Sequence, residues 1–158
     1  ELAKAERMAV GKSDQVIVEE VLRYLEKDSD LPRFSLHVES SAKGQSVGMK
    51  AQWLDSIVTD LINNAHEHGG EDVNIAVTLG IAKHRERSLA IRVHNDGQAI
   101  LSIDRERVFD PFFTTSKSRA NSGLGLAIVK TVLAAHNATI ELVDTGSGVT
   151  FEIVLPIR

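Results

Sequence analysis

Asp60, Asn64, Glu67 and His68 fall at i, i+4, i+7 and i+8 within Asp60-Leu61-Ile62-Asn63-Asn64-Ala65-His66-Glu67-His68, so a helix would carry all four on one side. Asn64 offers a hard amide oxygen of the kind that suits Mg²⁺. A second group, His94-Asn95-Asp96-Gly97-Gln98-Ala99-Ile100, follows a run of alternating apolar residues. A carboxylate at Asp96, beside the small Gly97, could accept a hydrogen bond from an exocyclic amine, and Ile100 returns the chain to the core. A third, Val108-Phe109-Asp110-Pro111-Phe112-Phe113-Thr114-Thr115, concentrates three of the five phenylalanines in five residues. In a stretch otherwise polar, that reads as an aromatic plug able to hinge a mobile loop. A fourth, Ser122-Gly123-Leu124-Gly125-Leu126, runs small residues into a helix start, where free N–H groups and the helix dipole favour phosphate. Each feature alone also has a plain reading: a solvated helix face, an Asp-Gly turn, a pinned loop, a glycine-rich helix entry.

One motif is set aside. Gly11-Lys12-Ser13 looks like the end of a phosphate-binding P-loop, but that pattern demands glycine where Glu6 stands, and the preceding residues read as helix rather than strand.

The elements that must position these groups follow from periodicity. Ser13 or Asp14 could cap a helix carrying Val16, Ile17, Val21, Leu22 and Leu25, ended between Asp28 and Pro32. Phe34, Leu36 and Val38 alternate as a strand does, and Ser40 to Gly48 is a small-residue turn. Leu54, Ile57, Val58, Leu61, Ile62 and Ala65 form the apolar stripe of a long helix stopped at Gly69-Gly70. Val73 to Leu79 and Leu89 to Val93 alternate and are joined by a polar loop. Residues 94–122 are irregular, which in a compact domain points to function. Leu126 to Ala135 reads as a buried helix, and Thr139 to Val143 and Val149 to Leu155 as two strands around Gly146-Ser147-Gly148. Adjacent strands imply hairpins, so the fold class is α+β: a two-layer sandwich with a mixed, mostly antiparallel sheet and helices on one face.

Composition narrows the functions. The chain has 158 residues, 42% apolar and 25% charged, which suits one globular domain. No cysteine is present, which excludes a disulfide scaffold, a thiolate metal site and a cysteine nucleophile. Its net charge of −4 disfavours non-specific nucleic-acid binding. No apolar run approaches a membrane span, so no direct membrane contact is expected, and the expected location is cytoplasmic, which leaves anchoring of the full-length protein in the inner membrane open. The opening Glu1-Leu2, without Met, is expected of a piece of a longer protein.

Taken in order, the four features resemble the ATP-binding catalytic domain of two-component sensor histidine kinases, in the wider group shared with gyrase, Hsp90 and MutL. Asn64-Ala65 resembles the N box and Asp96-Gly97-Gln98-Ala99-Ile100 the first glycine box. Phe109 to Thr115 resembles the F box, Gly123-Leu124-Gly125-Leu126 the second glycine box, and Gly148-Val149-Thr150-Phe151 the family's last hairpin. The likeness covers about residues 34–157 and implies the Bergerat fold with a mobile ATP lid. It also implies ATP and Mg²⁺ as cofactors. Asn64 would hold the metal. Asp96 would bind the adenine amine, with Thr150 assisting through water. Gly97 would admit the base, with Ile100 beside it, and His68 would lie against adenine. Ser122, Gly123, Leu124, Gly125 and Leu126 would cradle phosphates. Lys117 and Arg119, in the lid after Phe113, could neutralise phosphate charge, or serve only as solvated loop cations.

Three departures stand out. Asp60 occupies a position where such kinases often carry Asn, and a carboxylate there could activate a hydroxyl or water, or stand behind the metal. Asn121 replaces a common leading glycine. Glu67 replaces a common lysine and so removes a cation from the phosphate side.

The resemblance implies transfer of the γ-phosphoryl to a histidine on a dimerising helical hairpin, then onward to a response regulator. None of the six histidines, 37, 66, 68, 84, 94 and 136, has an acceptor's context. Residues 1–30 are therefore expected to be a helical remnant and linker from that hairpin, and 31–158 the catalytic domain. The alternatives are a stand-alone serine kinase or anti-sigma factor of the same fold, or a degenerate partner-binding domain.

Overall fold

The structure is a computed structural model that describes residues 14–100, 102–110 and 124–158. Its elements in chain order are β1 (Val16–Ile17), α1 (Val18–Glu26), β2 (Ser35–Val38), β3 (Ser46–Val47), α2 (Ala51–Gly69), β4 (Ile75–Ile81), β5 (Ser88–Asn95), α3 (Leu124–Ala135), β6 (Thr139–Val143) and β7 (Val149–Pro156). The main sheet has the order β2-β4-β5-β7-β6, parallel only between β2 and β4 and antiparallel elsewhere. This is the mixed, mostly antiparallel sheet expected from the run of hairpins.

Alternation divides the sheet into two faces. Ile75, Val77 and Leu79 of β4, Leu89, Ile91 and Val93 of β5, and Val149, Phe151, Ile153 and Leu155 of β7 are buried in the core with the stripes of α1 and α2. The other face carries His37, Thr78, Arg92, Glu141 and Glu152 around an open groove of about 400 Å³. Arg92 and Glu152, paired across β5 and β7, form an ion pair of 2.7 Å there. One sheet face is thus covered by helices and the other is left to solvent, as an antiparallel-rich sheet allows.

The sequence pattern did not disclose a small second sheet. β1 pairs antiparallel with β3, Val47 bridges Ile157, and Arg158 N–H donates to Ser46 O at 2.8 Å. Two-residue strands are too short for alternation to show. The first helix accordingly starts at Val18 with Ile17 as its uncapped N-terminal flank, rather than at a Ser13 or Asp14 cap. Val18, Val21, Leu22 and Leu25 lie in the same core as α2, so the packed unit includes α1, on the near side of the boundary expected at residue 30.

Candidate functional site

The polar face of α2 and the loop after β5 meet at the end of the sheet. α2 ends where expected, with Gly70 N–H donating to His66 O at 2.9 Å. Val73 then packs on Gly69, and the chain turns into β4. The His68 ring contacts Gln98 O through Nε2 at 2.6 Å. Gly97 lies directly on Gly69: a Cβ at Gly97 would stand 2.7 Å from Gly69 Cα and 3.0 Å from Asn95 Oδ1. Two groups separated by about thirty residues in sequence are therefore neighbours, and only glycine fits between their backbones.

Asn64 is one turn before His68 on the same side of α2, half-buried, and its amide has no hydrogen-bond partner among the described residues. Asp60 is a further turn back. Its outer surface is open to solvent, but the protein around its carboxyl desolvates it and raises its pKa above the ordinary carboxylate value. The ionised form is the disfavoured one, so Asp60 withdraws stability as pH rises from its unfolded toward its folded pKa. Glu67 sits half-buried near the end of the same helix.

At the end of β5 the Asp96 side chain is engaged by the approach to β4. Its carboxylate faces Asn74: Oδ1 accepts the Asn74 backbone N–H at 2.8 Å and Oδ2 accepts the Asn74 side-chain amide at 2.7 Å. These two bonds, the side-chain one foremost, hold the exposed Asp96 carboxyl below the usual carboxylate range, with a smaller contribution from His94. The side chain that continues the inward row Leu89, Ile91, Val93 is Asn95, which is 2% exposed and paired with Val149. Asn95 Oδ1 accepts the Gly97 N–H at 3.0 Å and keeps a second lone pair. A shift of one residue in a strand exchanges faces, and here it decides which side chain looks toward the helices.

A stability prediction follows for Asp96. Because its folded pKa is lowered, its clamp on Asn74 contributes stability above the ordinary carboxylate range and loses it as pH falls through the folded value. Asp96→Asn is expected to be less stable than the parent near neutrality, with the gap closing in acid, while adenine-nucleotide affinity stays within about threefold, since surface-contact changes are small. Urea titrations across that range together with nucleotide binding check this. A collapse of adenine affinity with an unchanged acid profile would return Asp96 to the recognition role.

Thr150 belongs to the outward row of β7. It pairs with His94 on the face opposite Asn95 and is 2% exposed. Its Oγ1 lies 2.6 Å from His94 Nδ1 and 3.0 Å from Thr145 Oγ1. Both contacts are on the face opposite the Asn95 side chain. Gly148 has φ +66°, and a Cβ there would overlap the Asn95 carbonyl oxygen. Beside this turn lies an open recess of about 310 Å³ lined by Ile100, Arg105, Thr145, Gly148 and Val149. Ile100 is partly buried against the core, as expected. Phe109 meets Phe151 edge-on, with ring centroids 5.9 Å apart, and Lys130 Nζ lies 5.2 Å above the Phe109 ring. The first phenylalanine of the cluster is thus the plug that ties the loop to β7.

The family described as histidine kinase-, DNA gyrase B- and HSP90-like ATPase matches residues 49–158. The chain belongs to this ATPase family. Among relatives, it is 37% identical over 110 residues to the sensor-like histidine kinase SenX3 of Mycolicibacterium smegmatis, covering 65% of this chain and 27% of that protein. It is 32% identical over 104 residues to the heme sensor protein HssS of Staphylococcus aureus, covering 65% of this chain and 22% of that protein. The chain thus spans about a quarter of the length of such relatives. The same fold occurs in the mycobacterial sensor histidine kinase MprB, with TM-score 0.70, 23% identity, and 92% and 97% of the two chains covered. It also occurs in full-length ShkA in complex with AMPPNP, with TM-score 0.72, 20% identity, and 99% and 34% covered. The family match spans α2 to the C-terminus and therefore contains every group described above.

In this ATPase domain the residues available fit a metal that is held mainly by its nucleotide. Among the described residues no three His, Cys, Asp or Glu side chains cluster as metal ligands. The unpartnered Asn64 amide with Asp60 one turn away is a sparse oxygen set, and Mg²⁺ takes few protein ligands when phosphates supply the rest. On the phosphate side, α3 begins at Leu124, so the N–H groups of Leu124, Gly125 and Leu126 belong to its first, unpaired turn. A Cβ on Gly125 would meet nothing within 4 Å, which leaves that backbone open. Phe113, Lys117, Arg119, Asn121, Ser122 and Gly123 lie outside the described residues.

Proposed function

We propose that this ATPase domain binds Mg-ATP and passes the γ-phosphoryl to a histidine on a dimerising helical hairpin of the protein it belongs to. A response regulator would then receive it in a two-component system. The observation that carries this reading is the meeting of the Asn64–His68 face of α2 with the Asn95–Gln98 end of β5, through the His68–Gln98 contact of 2.6 Å and the Gly97–Gly69 packing. One end presents an oxygen ligand for a metal, the other a buried amide for a base. SenX3, a relative named as a sensor-like histidine kinase, supports the reaction, and so does a fold neighbour, the histidine kinase ThkA, solved in complex with the response regulator protein TrrA.

In this reading Mg²⁺, when bound, screens the triphosphate and draws charge from the transferring group. Asn64 supplies its protein oxygen and Asp60 orients water beside it. Asn95 receives the adenine edge in place of Asp96, and Gly97 lets the base approach the backbone. His68 stands against the base, and Ile100 and Val149 line the recess beside it. The first turn of α3 receives the phosphates, with Ser122 and Gly123 adding backbone N–H groups and Lys117 and Arg119 adding positive charge. Such positioning and charge screening is what phosphoryl transfer needs from a protein. Three of the six histidines are engaged within the domain: His68, His94 and His136 contact Gln98 O, Thr150 Oγ1 and Val132 O respectively. None of the six has an acceptor's sequence context, so the reading takes the acceptor from a separate hairpin.

The test supplies the purified chain with Mg-ATP and a hairpin segment carrying a His-Glu or His-Asp acceptor. Acid-labile, base-stable phosphohistidine on the hairpin is the expected product. Phosphoserine on another protein would move the reading to a serine kinase, and tight nucleotide binding without transfer to a partner-binding domain. In the same assay, Asn95→Ala should lower ATP affinity by about tenfold, the worth of one buried hydrogen bond. Unchanged affinity would remove Asn95 from the base site.

A further inference from the structure

We propose that His94 is a positioning residue for nucleotide recognition, acting from the far face of the sheet through a hydrogen-bond chain that sets the β6–β7 turn against Asn95. The proposal rests on the nucleotide-binding reading above and adds a residue that no part of that reading uses.

The contacts run from one strand into the turn. His94 Nδ1 lies 2.6 Å from Thr150 Oγ1, Thr150 Oγ1 lies 3.0 Å from Thr145 Oγ1, and Thr145 Oγ1 lies 3.3 Å from Ser147 O. The chain starts on β5, crosses to β7 and ends inside the turn. The middle hydroxyl is 2% exposed, where an unmade hydrogen bond is expensive.

The turn so held has no slack. Gly146 and Gly148 both have positive φ, and a Cβ at Gly148 would overlap the Asn95 carbonyl and come within 2.9 Å of His94 Cε1. The backbone that carries Asn95 inward is thus pressed against the turn that His94 tethers from outside. Residues 144–149 also make one wall of the recess next to Ile100. Releasing the tether frees that wall and the Asn95 peptide together. The base end of the site should loosen, while the Asn64 end, on α2, should not.

The experiment compares binding of ATP with binding of inorganic tripolyphosphate, both with Mg²⁺, by calorimetry. Substitutions that break the chain, His94→Leu and Thr150→Val, are expected to weaken ATP binding about tenfold, the effect of one lost buried hydrogen bond. Tripolyphosphate binding should be unchanged. His94→Asn, which keeps a hydrogen-bonding group near the Nδ1 position, and Thr150→Ser, which keeps the hydroxyl, should restore ATP binding to within about threefold. Thr145→Val cuts the chain at an exposed position where folding is safe, and should give an intermediate loss for ATP alone. Equal losses for ATP and tripolyphosphate would make the chain a stability element and overturn the proposal, as would ATP binding unaffected by any of the substitutions. A parent chain that binds neither probe would overturn the nucleotide reading and this proposal with it, whereas failure of the variants alone leaves that reading standing.

Discussion

Asn64→Ala is expected to reduce phosphohistidine formation by about a hundredfold or more, the scale on which removing one charge-stabilising group acts. Nucleotide binding measured without Mg²⁺ should fall little. The reason is position. Asn64 is held by a helix whose opposite stripe, Leu54, Ile57, Val58, Leu61, Ile62 and Ala65, is in the core, so its amide cannot swing away or be replaced by a neighbour. Among the described residues it makes no hydrogen bond, so its loss breaks no internal network. Stability should therefore stay within about 0.5 kcal/mol of the parent, as for other partner-free polar positions. Transfer rates to a supplied hairpin, with calorimetry at saturating Mg²⁺ and in chelator, separate the two effects. Equal losses of binding with and without the metal would contradict a metal-directed role.

Gly97→Ala should have the second large effect, on stability and affinity together. The added methyl meets backbone, Gly69 Cα at 2.7 Å, and the Asn95 amide oxygen at 3.0 Å, neither of which is the loose end of a side chain. The loop after β5 must then separate from the end of α2, at about 1–3 kcal/mol by analogy with overpacked cores. The His68–Gln98 contact would open with it, and ATP affinity should drop by about tenfold or more, one hydrogen bond's worth at the least. Gly125→Ala is the contrast. Its methyl would meet nothing within 4 Å, and it lies inside α3, where alanine is the better helix former. Its melting temperature should hold or rise. Any affinity it loses reports on the phosphate end alone. A Gly97→Ala chain with parental melting temperature and affinity would show that the two backbones do not need their close approach.

Much of this architecture could be read in advance. The stripe from Leu54 to Ala65 gave α2 its length and its buried side, and Gly69-Gly70 its end. Strict alternation gave β4, β5, β6 and β7. The short β1 and β3 escaped because two residues have no period, and what makes them strands is each other, Ile157 and Arg158. Spacing placed Asn64 and His68 on one side of α2 and Gly97 and Ile100 in the loop after β5, where the structure has them. Asn95, the inward side chain now proposed for the base, drew less notice than its charged neighbour Asp96, because a carboxylate is the more conspicuous group. One signal could have found it: the odd-numbered row 89, 91, 93 extends to 95, and an even-numbered residue belongs to the other face.

The order of apolar and polar residues by itself determined the α+β architecture, the face of α2 that carries Asn64 and His68, and the family to which the chain belongs, because period and motif order are local properties of a sequence. What only the tertiary structure decided is where the two strand-end groups point. Asn74 takes both oxygens of Asp96, and His94 with Thr145 takes the hydroxyl of Thr150. Those partners lie from 5 to 56 positions away in the chain and two of them come from other strands or their approaches. Competition for a hydrogen-bonding group is settled by whatever the fold brings within 3 Å of it, and no pattern of spacing along one segment contains that information.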